Sequence, residues 1–190
     1  MILAVIPARA GSKRLPGKNK LPLCGKPLVQ WTLEQALEAR LVDTVLVTTD
    51  DEDVLALANT FVCSTERRLA ALATDEASIY DELKRLVPVY EPDWVVLLQP
   101  TSPLRWVGDI DRCVELALGT GKPAVTVDQP ANGAPTGAVY VGRAAWLLNG
   151  GNWDTAETTK LLVPTARSVD INTREDFDRA EQAMKEKLSK

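Results

Sequence analysis

Three short runs of uninterrupted apolar residues, Ile2 to Ile6, Val45 to Val47 and Trp94 to Leu98, have the pattern of strands covered on both faces. Between them the apolar period becomes helical. Val29, Leu33 and Leu37 recur every fourth residue after Pro27, which suits a first helical position. Asp51 can cap a second helix through Val54, Leu55 and Ala58. Ile79, Leu83 and Leu86 outline a third, ended or bent near Pro88, and Ile110, Cys113, Val114 and Ala117 a fourth. Strand alternating with helix predicts an α/β fold with a mainly parallel sheet and helices on both faces.

The second half is less regular. Ala124 to Val127 and Ala138 to Val141 read as strands, joined by a loop at 128–135 rich in turn residues. Leu161 to Val163 can add an edge strand. A final helix is expected from Thr173, which stands in capping-box spacing with Asp176, with Phe177, Ala180, Met184 and Leu188 along one face and a frayed tail from Lys185 to Lys190.

The loop after the first strand carries the most chemistry. Ile6 to Asn19 sets Arg9, Lys13, Arg14 and Lys18 around Gly11 and Gly17, a combination suited to a polyphosphate: glycines let backbone N–H groups turn toward an anion, and the cations neutralise it. A solvated basic turn is the plain alternative. Five residues rather than four separate Gly11 from Gly17-Lys18, and Asn19 replaces the Ser or Thr of a Walker loop. The spacing also fails G-x-G-x-x-G, and no helix-forming run begins inside the loop.

Composition narrows the chemistry. The 190 residues, 45% of them apolar, suit one domain over 1–190, and no run is long enough for a membrane span or a signal sequence, so a cytoplasmic protein is expected. Histidine is absent, which removes Ser-His-Asp and Cys-His schemes, and Cys24, Cys63 and Cys113 are too scattered for a disulfide framework. A net charge of −4 and a pI near 5.0 fit a small anionic ligand better than a nucleic acid.

In open α/β sheets ligands gather outside the carboxyl ends of the strands. Three polar clusters stand there: the cationic loop after Ile6, Thr48 to Asp51 after Val47, and Gln99 to Arg105 after Leu98. Their convergence predicts one site.

Taken with two further segments, these motifs resemble the CMP-sialic acid synthetase family, the N-acylneuraminate cytidylyltransferases and other CMP-2-keto-sugar-acid synthetases. The segments are I-P-A-R-x-G-S-K-R-L-P-G-K-N at 6–19, T-T-D-D at 48–51, L-A-T-D-x-A-S at 72–78, L-L-Q-P-T-S-P-L-R at 97–105 and V-D-I-N-T-x-E-D-F at 169–177, in the family's order. The resemblance implies a Rossmann-like, glycosyltransferase-A-type nucleotidyltransferase fold. It implies transfer of CMP from CTP to the anomeric hydroxyl of a sialic-acid-like 2-keto sugar acid, with Mg2+ as cofactor and pyrophosphate released. It makes Arg9, Lys18 and Asp170 catalytic, and gives Ala8, Arg9, Gly11, Ser12, Lys13, Lys18, Asn19, Arg68, Ala77 and Ser78 to the nucleotide. Gln99, Thr101 and Ser102 would face the sugar, and Asp170 and Asn172 the metal.

Several of these residues have plainer readings. Arg68 beside Arg67 can be a surface arginine, Asp50 and Asp51 helix caps, Thr101 and Ser102 turn formers, and Asp109 and Asp111 partners of a helix dipole. Tyr80, Tyr90 and the tryptophans suit packing, with Trp106 beside Arg105 a candidate stacking residue. The chain also departs from the family pattern. Asn172 stands where D-I-D is common, Leu69 follows Arg68 in place of proline, and only the loop at 128–135 replaces a lobe that builds the family's dimer and reaches the partner's sugar site. A homodimer, the identity of the sugar, another nucleotide or acceptor, a nucleotide-binding module without catalysis, and the general base all stay open at this level.

Overall fold

The computed structural model describes residues 1–74, 76–129 and 135–189. The three apolar runs form neighbouring parallel strands: β1 (Ile2–Pro7) lies between β4 (Thr44–Thr49) and β6 (Trp94–Leu97). A hairpin of β2 (Pro22–Leu23) and β3 (Lys26–Pro27) follows the cationic loop. Outside β4, β5 (Ser64–Arg67) is an edge strand, which the sequence pattern missed because its four residues are polar and none is buried.

Beyond β6 the sheet changes sense. β8 (Pro135–Arg143) runs antiparallel to both β6 and β7 (Ala124–Gln129), and β9 (Thr159–Pro164) pairs in parallel with β7 at the far edge, as Leu161 to Val163 predicted. The order is β5-β4-β1-β6-β8-β7-β9. Both strands flanking the predicted loop at 128–135 are longer than the sequence suggested. Asp128 and Gln129 belong to β7 and Pro135 to β8, while 130–134, like Asp75 of the motif at 72–78, lie outside the described residues.

Alternation along the central strands sends side chains to opposite faces. Ala4, Ile6, Val45, Val47 and Val96 meet α1 (Leu28–Glu38), α2 (Glu52–Ala58) and α4 (Val107–Thr120). Leu3, Val5, Leu46, Val95 and Leu97 meet α3 (Ile79–Tyr90) and α5 (Ala144–Leu148). The last helix, α6 (Arg174–Leu188), packs Phe177, Ala180 and Met184 against Leu15 of the cationic loop, Leu104 and Ile171. That contact joins the chain's carboxyl end to its first loop.

Local signals set most boundaries. Asp51 caps α2 through N–H bonds from Asp53 and Val54, and Thr173 and Asp176 form the expected capping box. Some expectations need adjusting. Pro27 precedes the first helical residue of α1, and Leu37 is outside its buried face, which Val29, Leu33 and Ala36 make instead. α3 continues through Pro88 to Tyr90 before Glu91 ends it in a left-handed conformation. α6 stays helical to Leu188, which is exposed. Asp111 ties α4 to the end of α1 by accepting from the Leu41 N–H at 3.0 Å, and Arg40 lies 3.3 Å away.

Arg105 is 0% exposed and donates to Thr32 Oγ1 (2.9 Å), Gln35 Oε1 (3.3 Å) and the Gln99 carbonyl. Gln35 in turn donates to the Pro103 carbonyl at 2.7 Å, so α1 and the loop after β6 are stapled from within. Replacing Arg105 with Ala leaves buried acceptors without donors beside a new cavity, and is expected to lower stability by about 3 kcal/mol. Urea unfolding checks this; a loss under about 0.5 kcal/mol, the scale of an ordinary surface change, contradicts it.

Candidate active site

The cationic loop is held in place at its base. The Ala8 N–H donates to the Thr48 carbonyl at 2.9 Å, the Thr49 hydroxyl to the Ala8 carbonyl at 2.5 Å, and the Ala10 N–H to Asp50 Oδ1 at 2.7 Å. Asp50 therefore anchors the loop, whereas its neighbour Asp51 is the helix cap. Asn19 Nδ2 closes the loop on itself by donating to the Arg9 carbonyl at 3.0 Å. Gly17 adopts φ 64°, which only glycine takes without strain, and a 3₁₀ turn at Lys18–Lys20 follows. Gly11 has no such φ, so the conformational freedom expected there is used only at Gly17.

A cleft of about 220 Å³ opens at the carboxyl ends of β1 and β6, lined by Arg9, Gly11, Ser12, Lys18, Asn19, Arg68, Ala77, Gln99 and Thr101, with Pro7, Ile79 and Pro100 as apolar wall. Nine residues assigned from the sequence thus meet in one place. Arg68 is 6% exposed, and its Nε is buried without a partner, which excludes the surface-arginine reading. Burial lowers its pKa, with Glu82 opposing. Lys18 sends Nζ to the Ile171 carbonyl at 2.8 Å; burial lowers its pKa as well, with Asp170 the main opposing influence.

Six assigned residues do not line this cleft: Asp170 and Asn172, which stand beside it, and four others. Ala8 is fully buried with both backbone groups occupied, and Ser78 caps α3 through the Tyr80 N–H. Lys13 lies in an adjoining surface depression with Arg9, Gly11 and Ser12. Ser102, expected to face the sugar, is fully buried and lies under the site, 3.5 Å from the Thr136 carbonyl. In each case motif position was legible and side-chain direction was not.

A second cleft of about 260 Å³ shares Gln99 with the first and is lined by Asp128, Thr136, Gly137, Tyr140, Ser168 and Asp170. Of these, only Gln99 and Asp170 were expected from the sequence. Gly137 has φ 78°, and a Cβ there would lie 3.1 Å from Gln99 Oε1 and 3.3 Å from Ser102 Oγ, so a side chain at this position would press on both. Burial, with Asp170 adding to it, pushes the Tyr140 phenol up to about 12, so it is a neutral donor at ordinary pH.

Asp170 lines the second cleft within electrostatic reach of Lys18 in the first. Its Oδ2 accepts from Asn172 Nδ2 at 2.6 Å, whereas its Oδ1 is buried without a partner. Asn172 Oδ1 accepts from Arg14 Nη2 at 3.0 Å. Asn172 therefore orients Asp170 and gives its own oxygen to an arginine. Trp106 stacks under the Arg167 guanidinium, 3.3 Å from ring centre to Cζ, which fills the role of a stacking residue internally.

Among the described residues no helix is long and apolar enough to cross a membrane. Residues 3–132 match a family model described as cytidylyltransferase. The chain is 31% identical to the CMP-N,N'-diacetyllegionaminic acid synthase of Legionella pneumophila, over 96% of each protein. It is 30% identical to the N-acylneuraminate cytidylyltransferase of Streptococcus agalactiae over 92% of its length, and spans 51% of that longer protein. Its fold matches that of CMP:2-keto-3-deoxy-manno-octonic acid synthetase complexed with CTP, with a TM-score of 0.80 at 20% identity over 98% and 99% of the two chains. It also matches a Mycobacterium tuberculosis protein solved with manganese, with a TM-score of 0.68 at 17% identity over 95% and 98%. With the family model covering residues 3–132 and a 31% identical relative matched along 96% of its length, the chain belongs to the cytidylyltransferases of the CMP-sialic acid synthetase family.

Proposed function

We propose that residues 1–190 form one cytoplasmic cytidylyltransferase domain that transfers CMP from CTP to the anomeric hydroxyl of a 2-keto sugar acid. The observation that carries this reading is the pair of clefts sharing Gln99, one cationic and the other polar, with Asp170 of the second within electrostatic reach of Lys18 of the first. The first cleft suits CTP, with Arg9, Ser12 and Lys18 toward the triphosphate and Arg68 and Ala77 toward the base. The second suits the sugar acid.

An acceptor in the second cleft brings its hydroxyl oxygen to the α-phosphorus of a nucleotide in the first. A new oxygen–phosphorus bond forms as the bond to the β-phosphate breaks; the hydroxyl proton leaves to solvent, and pyrophosphate departs. Charge moves onto the leaving group. Arg9 and Lys18 are the cations on the cleft wall that can meet it, in a place where partial burial strengthens the attraction.

The residues also fit a divalent ion. Asp170 Oδ1 is a buried carboxylate oxygen that no protein group satisfies, and a hard cation supplies the missing partner. Asp170 would hold Mg2+, with Asn172 fixing the carboxylate's orientation, and the ion would offset negative charge on the phosphate oxygens.

CTP with magnesium should raise the melting temperature, whereas ATP, GTP and UTP should do so much less; stabilisation by a purine nucleotide alone would overturn the assignment of CTP. Pyrophosphate should be released only when CTP and a 2-keto sugar acid are both present. Lys18→Ala is expected to lower kcat by about 100-fold or more, on the scale of other lost charge-stabilising donors. Steady-state kinetics on the folded variant reads this, and unchanged turnover would remove Lys18 from the mechanism. Because burial lowers the Lys18 pKa and the cation is the working form, kcat/KM for CTP should fall with rising pH below the ordinary lysine value of 10.5. A pH profile with no such fall, or one unchanged in Lys18→Arg, contradicts this.

A further inference from the structure

The two clefts divide their charge at Gln99. The wall holding Arg9, Lys18 and Arg68 has, among the described residues, no acidic one. The neighbouring wall has Asp128 and Asp170 and, among the described residues, no lysine or arginine. The connection from β7 to β8 cannot supply one, because residues 129–135 read Gln-Pro-Ala-Asn-Gly-Ala-Pro.

The two carboxylates differ in their surroundings. Asp170 belongs to the segment before α6, takes a hydrogen bond from Asn172 and feels the Lys18 ammonium. Asp128 belongs to β7, paired with Val163 of β9, and approaches the cleft from the opposite element. In a 2-keto acid the reacting hydroxyl and the carboxylate share one carbon or its immediate neighbour, so both must stay near Lys18 and the α-phosphate. The rest of the sugar then extends along the second cleft, where an anion would be repelled and a hydrogen-bond donor favoured.

On the basis of the acceptor reading above, we propose that Asp128 is a specificity-determining residue, accepting a hydrogen bond from a hydroxyl or ammonium group on the part of the sugar acid remote from its carboxylate. Asp128 is half-buried, and a bound sugar that covers it without offering a donor leaves the carboxylate unpaired, so analogues that lack the donor are disfavoured. Asp128 thus selects by requiring a donor and excluding a second negative charge.

The test compares wild type, Asp128→Asn and Asp128→Ala on three acceptors: an eight-carbon 2-keto-3-deoxy sugar acid with its terminal hydroxyl, and analogues carrying an ammonium group or a hydrogen there. Wild type should favour the hydroxyl and ammonium compounds over the deoxy compound by about 10-fold or more in kcat/KM. Asp128→Asn should lose the extra preference for ammonium, and Asp128→Ala should treat all three within about 2-fold. KM for CTP and the CTP-induced melting shift should change little in either variant, which separates specificity from misfolding. An unchanged order of preference in Asp128→Ala, with CTP binding intact, overturns the proposal alone. If wild type binds CTP yet neither binds nor converts any of the three acids, the acceptor reading falls and the proposal falls with it.

Discussion

One residue, Ile171, joins three parts of the chain that the sequence keeps far apart. Its N–H donates to the Thr101 carbonyl at 2.8 Å, and its carbonyl accepts Lys18 Nζ at the same distance. Its side chain is fully buried among Leu15, Leu104 and Phe177. The loop after β1, the loop after β6 and the segment leading into α6 are thereby fixed relative to one another. The neighbouring residue is Asp170, so the same anchor places the carboxylate on the second cleft, near Lys18. Lys18 gives up water to make this contact, and burial opposes its charge; the carbonyl and Asp170 offset part of that cost. A lysine held this way faces the cleft as a cation with few competing solvent contacts, which suits phosphate binding more than solubility.

Behind the Gln99 corner lies a second cation with a different task. Arg105 is enclosed, and the acceptors it reaches in Thr32, Gln35 and Gln99 are neutral. Such an arrangement costs desolvation without the return of a direct ion pair, and its persistence requires geometry to be worth that cost. The geometry is specific. Arg105 and Gln35 between them hold the carbonyls of Gln99, Pro103 and Arg105, so the loop carrying Gln99 and Thr101 is supported by α1.

Much of this arrangement was legible in the sequence. Continuous apolar runs gave the central strands, because a strand covered on both faces has no polar alternation, and the capping residues Asp51 and Thr173 marked helix starts. The motifs at strand ends gave seven of the residues in the first cleft, and the family resemblance added Arg68 and Ala77. What stayed hidden depends on side-chain direction and on distant pairing. Ser102 and Gln99 belong to one motif, yet one is fully buried and the other stands between two clefts. Asp50 and Asp51 are adjacent, yet one fastens a loop and the other caps a helix. β5 escaped notice because an exposed edge strand needs no apolar pattern. Asp128, Tyr140 and Ser168 had no motif to mark them.

The existence of the second cleft follows from strand sense. Parallel strands bring their carboxyl ends to the ligand edge of the sheet, and β1, β4 and β6 do so. β8 runs the other way against β6, so it is the amino end of β8, at Thr136 and Gly137, that arrives at this edge. There the backbone comes so close to Gln99 and Ser102 that a Cβ would lie 3.1 and 3.3 Å from their side-chain oxygens. The φ of 78° at Gly137 excludes most side chains on its own account. Reversal of one strand therefore supplies a wall that a wholly parallel sheet would lack, and glycine at the turn keeps that wall from closing on the glutamine shared by both clefts.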